Sequence, residues 1–185
     1  FAGLRKFFDE TENKNIAAEK LSSELENKIQ EMIRKNKIRK RFLDRLNMLL
    51  SEYNAGSKDI NEFFDQLVEL AKDLSEEDER SIKENLTEEE LAIFDLLRKE
   101  ILTPDEMHQV KKVAHELLEK LKTEKLVLDW KKREETRADV KVTIRDILYD
   151  NLPAPTYTTV ECDNRTWMVY NHVYDSYVDE KVSVY

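Results

Sequence analysis

Cysteine occurs once in the 185 residues, at Cys162, so no internal disulfide can form and a cysteine-built zinc site is excluded. A reducing, cytoplasmic setting is the expectation. Glycine is nearly as scarce: Gly3 and Gly56 are the only two, far too few for the clustered glycines that let backbone N–H groups close on a phosphate. A P-loop and a dinucleotide fingerprint are therefore both excluded. Apolar runs stop at three or four residues, which predicts neither a membrane span nor a signal peptide. Opening at Phe1, with no methionine before Met32, the chain reads as a segment of a longer one. What remains is 40% hydrophobic and 38% charged, with 31 Lys+Arg against 40 Asp+Glu, the composition of a folded acidic domain with formal charge −9.

With glycine and proline rare, apolar residues recur at spacings of three and four, the signature of amphipathic helices burying one stripe. Leu21, Leu25, Ile29, Met32 and Ile33 form one stripe. Ile38, Phe42, Leu46, Leu49 and Tyr53 form a second, with Lys35-Asn36-Lys37 between them as a bend or a continuous turn. Gly56 ends that helix, and Asp59-x-x-Glu62 opens the next, carrying Ile60, Phe63, Phe64, Leu67, Val68, Ala71 and Leu74. Ser75 can cap a short acidic helix ending near Asn85. Thr87 with Glu90, and Thr103-Pro104 with Glu106, are capping boxes for the two helices that follow. Leu126-Val127-Leu128 reads as helix or loop, and Val140, Ile144, Ile147 and Leu148 mark a helix that stops before Pro153 and Pro155. Thr158 and Glu161 can cap a final helix with Trp167, Tyr170, Val173, Tyr174 and Tyr177, and Val178 to Tyr185 reads as a fraying tail. The expected fold is all-α: an irregular bundle of about seven helices with a C-terminal helix after a Pro-rich linker. The expected organisation is an N-terminal stub over 1–16, a helical domain over 17–152, and linker, last helix and tail over 153–185.

Catalytic chemistry needs a nucleophile with its base, paired carboxylates in a cleft, or a metal cluster. His108 and His115 stand seven apart on one helix, about 10 Å of rise, too far to share a metal, so both read as surface or boundary residues, as does His172. Cys162 reads as a small buried hydrophobe. Pro104-Asp105 with Asp129-Trp130-Lys131 superficially matches the pattern of metal-dependent nucleases, whose two carboxylates and lysine sit on adjacent strands. Helical periodicity from Met107 to Leu121 contradicts that geometry, leaving Asp105 as a first-turn acid and Asp129-Trp130-Lys131 as a solvated turn. No catalytic, metal-binding or cofactor-binding residues are expected.

Charge is unevenly placed. Arg34, Lys35, Lys37, Arg39, Lys40, Arg41 and Arg45 face only Asp44, whereas Asp59 to Glu100 holds fifteen acids and five bases. The basic run can pair with those acidic helices, meet a protein, or bind phosphates by counterion release. Tyr170, Tyr174 and Tyr177 at i, i+4, i+7 read as core or interface rather than a base-stacking platform. The candidate interface residues are therefore Lys35, Lys37, Arg39, Lys40, Arg41, Arg45, Tyr170, Tyr174 and Tyr177.

Three passages together resemble the C-terminal helical region of the R (motor and endonuclease) subunit of type I restriction enzymes. They are FLDRLNMLLSEYNAGS from Phe42 with the stretch from Ile60 to Leu97, the stretch from Val110 to Leu148 containing Leu128-Asp129-Trp130, and the ending HVYDSY from His172 to Tyr177. Pro153 to Met168 departs from the family pattern. The resemblance implies a parent protein that cuts DNA, hydrolyses ATP with Mg²⁺ and translocates DNA, none of whose catalytic motifs occur in this segment. It implies a non-catalytic assembly domain without a cofactor of its own, packing on the motor domains and attaching the subunit to the methyltransferase and specificity core, with DNA met through the parent complex. The alternative is a helical nucleic-acid-binding module that contacts duplex phosphates through the basic helix.

Overall fold

A computed structural model describes residues 2–177; the tail expected to fray, Val178 to Tyr185, lies outside them. The described residues are mostly helical and fall into two compact units that divide between Lys83 and Glu84. This boundary falls inside the segment 17–152 that the sequence suggests as one domain.

In the first unit, α1 (Ala2–Glu10) precedes α2 (Lys14–Lys35), α3 (Lys40–Asn54) and α4 (Ile60–Asp78). Residues 2–10 lie in the segment expected to be a stub, but Phe8 is fully buried and stacks on Phe64 with ring centroids 3.8 Å apart. That contact stabilises a helix too short to persist alone. The stripes foreseen on α2, α3 and α4 meet in one core around Leu21, Leu25, Ile29, Leu46, Phe63, Leu67 and Leu74. The bend between α2 and α3 is real. Asn36 leaves helical angles at φ −143°, and its side chain accepts a hydrogen bond from the Ile38 N–H at 3.1 Å, opening a single 3₁₀ turn, Lys37–Arg39. Gly56 takes φ +72° after α3, the left-handed conformation expected of a C-terminal stop.

Ser75 does not cap a helix. α4 runs through it to Asp78, because Leu74 and Glu77 are both buried and the core-facing turn continues past the serine. The short α5 (Arg80–Glu84) follows, with Asn85 at φ 55°.

In the second unit, α6 (Glu88–Leu97) packs on α7 (Pro104–Lys120), α7 on α8 (Glu134–Asn151), and α9 (Thr159–Ser176) on α6 and α8. Thr87/Glu90, Thr103/Glu106 and Thr158/Glu161 all form complete capping boxes, the hydroxyl accepting from the N3 N–H while the glutamate accepts from the cap N–H. Each pair satisfies two donors that the helix leaves without partners. α7 ends in a π turn, Leu121–Lys125, closed by the Leu126 N–H on the Leu121 carbonyl at 2.8 Å. Leu126-Val127-Leu128 is loop, with Leu128 76% exposed. The Pro153 to Pro155 linker is anchored by Tyr157, whose buried hydroxyl donates to the Leu97 carbonyl at 2.8 Å. Burial pushes that phenol up to about 12.

Candidate functional site

The basic run leads from the end of α2 through the 3₁₀ turn into α3, and α4 carries acids beside it. Arg39 is 1% exposed and donates from Nε to Glu77 at 3.1 Å. Glu77 also accepts from Arg41 at 2.8 Å and from Arg80 at 3.0 Å, so one buried carboxylate gathers three guanidinium groups. A desolvated carboxylate is costly unless matched in this way, and arginine's planar fork suits the match. One turn on, Arg45 pairs with Asp73 and lies 3.8 Å from Glu69. The run is thus split by role. Arg39, Arg41 and Arg45 are tied to α4, while Lys40 is exposed beside them. Lys37 is exposed and Lys35 half-buried.

The C-terminal aromatics take positions different from those their spacing suggests. The core face of α9 is formed by Cys162, Thr166, Val169, His172, Val173 and Ser176. His172 is 2% exposed, not the surface or boundary residue expected, and lies 3.3 Å from the Ser176 hydroxyl through Nδ1. The Thr166 hydroxyl donates to the Cys162 carbonyl at 2.8 Å, so this polar stripe satisfies itself along the helix and is buried without an unmet hydroxyl. The large rings are displaced to the flank: Trp167 is 52% and Tyr174 39% exposed, Tyr170 is half-buried, and Tyr177 alone of the three tyrosines is buried.

Trp130 is only 2% exposed, which corrects the expectation of a solvated Asp129-Trp130-Lys131 turn. Asp129 adopts φ 60° and pairs with Lys132 at 2.6 Å, turning the chain so that the indole points inward. The Thr136 hydroxyl donates to the Trp130 carbonyl and Arg137 to the Lys131 carbonyl, each at 2.6 Å, fastening the turn to α8. Sequence reasoning missed this residue because a lone tryptophan between charges has no periodicity.

Trp130 meets Tyr174 edge-on at 5.9 Å, Tyr174 lies 6.1 Å from Tyr170, and Tyr170 meets Trp167 edge-on at 6.2 Å, giving a continuous ladder of four rings along the α8–α9 face. Lys141 lies over the Trp167 ring at 3.5 Å, and Lys131 lies over Tyr174 at 5.0 Å and Trp130 at 5.7 Å. These are cation–π contacts, and the rings with their ammonium groups form an amphipathic, cationic strip.

The residues of the nuclease-like pattern do not form a strand pair: Asp105 stands in the first turn of α7 and Asp129 in the turn just described. Among the described residues no group of three or more His, Cys, Asp or Glu side chains is placed to hold a metal ion. No helix among them is long and apolar enough to cross a membrane.

Residues 4–173 match the model of a family described as the type I restriction enzyme HindI endonuclease subunit-like, C-terminal region. A relative in Methanocaldococcus jannaschii, described as a type I restriction enzyme MjaIXP endonuclease subunit, is 31% identical over 139 residues, 74% of this chain and 13% of that protein. The type I restriction enzyme HindI endonuclease subunit of Haemophilus influenzae is 29% identical over 113 residues, 60% of this chain and 11% of its own. The chain thus aligns with only about an eighth of the length of these curated relatives. No solved structure matches it. With the match running from α1 to the last turns of α9, the chain belongs to the family of C-terminal regions of type I restriction enzyme endonuclease subunits.

Proposed function

We propose that this chain is a non-catalytic assembly domain of a type I restriction endonuclease subunit. It packs on the ATP-driven, DNA-translocating motor of that subunit and attaches it to the methyltransferase and specificity core. The carrying observation is the family membership of an all-helical segment that leaves Trp167 and Tyr174 on its surface, since half-exposed aromatics gathered on one face are the residues that anchor protein contacts. ATP and Mg²⁺ are assigned to the remainder of the subunit, DNA is met through the whole complex, and the setting is the cytoplasm. Contact with duplex phosphates through the basic helix is the weaker reading, because Arg39, Arg41 and Arg45 would have to leave Glu77 and Asp73 first. For the same reason, reversing Arg39 to Glu would test stability rather than binding. The test is co-purification of the 185-residue chain with the purified methyltransferase–specificity complex: stoichiometric binding that survives 0.5 M salt, roughly the regime where exposed charges are screened, supports assembly. Absence of binding, together with salt-steep affinity for duplex DNA, refutes it.

A further inference from the structure

The ring ladder carries two ammonium groups that lie over aromatic faces, Lys131 over Trp130 and Tyr174 and Lys141 over Trp167. Elsewhere in the second unit lysines sit against carboxylates: Lys111 on Glu84, Lys122 on Glu89 and Lys125 on Asp139. Lys131 and Lys141 have no carboxylate within ion-pair distance among the described residues, although the chain is rich in acids. Both instead hold their charge over rings, where the ring quadrupole attracts the ammonium but leaves its charge in place. Beside them, Trp167 and Tyr174 keep large apolar areas in water. The strip is thus apolar at its centre and positively charged over its rings, the reverse of the overall charge of the molecule.

We infer that the strip formed by Lys131, Lys141, Trp167, Tyr170 and Tyr174 is the docking surface for an acidic protein face, one whose carboxylates meet the two ammonium groups while its apolar side chains cover Trp167 and Tyr174. The inference rests on the assembly reading above and adds the place and the chemistry of the contact. Charge complementarity sets the sign of the partner. The ring geometry sets its class. Bases stack on open faces, but here two of the three ring-to-ring contacts are edge-on, at 83° and 87°, and one face of Trp167 is covered by Lys141. Edges and half-exposed flanks suit side-chain packing, as at the core of a protein interface with a charged rim.

The experiment measures binding of the full chain to the purified methyltransferase–specificity complex, and separately to an oligothymidylate of about twenty nucleotides, a length that spans one or two single-strand sites. Wild type is compared with Lys131→Glu/Lys141→Glu, with the conservative Lys131→Arg/Lys141→Arg, and with Trp167→Ala, each first matched to wild type in far-UV CD and melting temperature. The expected result is at least about a tenfold loss of affinity for the complex on double reversal and on Trp167→Ala, with retention in the arginine pair. Binding should also shift the Trp167 emission to the blue. Affinity within about threefold of wild type for the reversed chain overturns the inference while leaving the assembly reading intact. Loss confined to oligothymidylate binding, with a steep salt slope, overturns it in favour of a nucleic-acid strip. If wild type itself does not bind the complex, the assembly reading falls and this inference with it. Should the double reversal fail to fold, Lys131→Gln/Lys141→Gln decides by the same criteria.

Discussion

Replacing Glu77 by alanine should unfold the first unit more readily than replacing any exposed acid, and the size of the effect follows from what the carboxylate leaves behind. Its side chain is 4% exposed and serves Arg39, Arg41 and Arg80 together. Arg41 is 56% exposed and can return to water, but Arg39 at 1% cannot without opening the contact of α4 with the 3₁₀ turn. Removing one partner of a buried ion pair costs about 3–5 kcal/mol. Arg39→Met is milder, because Glu77 keeps two donors; losing one charge-assisted hydrogen bond costs about 1.5–3 kcal/mol. The double variant Arg39→Met/Glu77→Leu removes both members of the most buried pair, and apolar replacement of such a pair is commonly neutral or better, so its cost should stay within about 2 kcal/mol, with Arg80 at 17% exposure near enough to water to be resolvated. The double-mutant cycle is closed by urea denaturation at pH 7 followed by far-UV CD, which reports the helices of both units. Tryptophan fluorescence is the internal control, since Trp130 and Trp167 both lie in residues 84–185. A cost below about 1 kcal/mol for Glu77→Ala, or a double variant as unstable as the two single losses added, would refute the reasoning.

Phe64→Ala and Leu117→Ala should each cost about 2–5 kcal/mol in urea melts, since Phe64 loses its stack on Phe8 and Leu117 is fully buried on α7; losses under about 0.5 kcal/mol at both would contradict the packing. His115 of α7 pairs through Nδ1 with Glu90. The hydrogen bond to Glu90 and nearby acids raise the imidazole, whereas Glu90, although burial opposes it, is held below the usual carboxylate range by His115 and by Thr87. The histidine's share is complete below its ordinary 6.5 and fades as pH rises through the elevated folded value; the glutamate's share is complete above 4.5 and fades as pH falls through the lowered one. The stability difference between wild type and His115→Gln should therefore peak between those two values, and a difference flat with pH would exclude the pair. Glu161 titrates at about 2, chiefly because Lys99 and the Thr158 N–H hydrogen-bond it, so carboxyl NMR of Lys99→Met should show it moving up toward 4.5.

Local features were the most legible in the sequence. Thr-x-x-Glu caps depend on four adjacent residues, so Thr87, Thr103 and Thr158 were readable without knowing what their helices touch. The stripes of α4 and α7 were readable because each has a single apolar phase. Features made by tertiary contact were not. α1 exists through the stack of Phe8 on Phe64, and Ser75 is passed over because Glu77 beyond it finds the buried Arg39 of the 3₁₀ turn. On α9 the apparent stripe favoured Trp167 and Tyr174 over Thr166, His172 and Ser176, since hydrophobicity ranks the rings higher. Self-satisfied hydrogen bonds let the smaller polar residues pack inside instead. At the candidate site, the charge census signalled pairing of the basic run with the acidic helices, and the structure supplied the partners. The lysines of the aromatic strip gave no signal, because Lys131 and Lys141 join Trp167 and Tyr174 only across two elements.

The π turn at Leu121–Lys125 has a consequence for how chains of this kind vary in length. An α turn widened to i→i+5 holds one residue more than the helix needs, so a chain one residue shorter can close the same end as ordinary α-helix. Leu117 and Leu118 before it, and Trp130 after it, would keep their places. Alignments of distant relatives should therefore anchor on those three buried positions and admit a one-residue gap at 121–125, although a gap there would interrupt what looks like continuous helix.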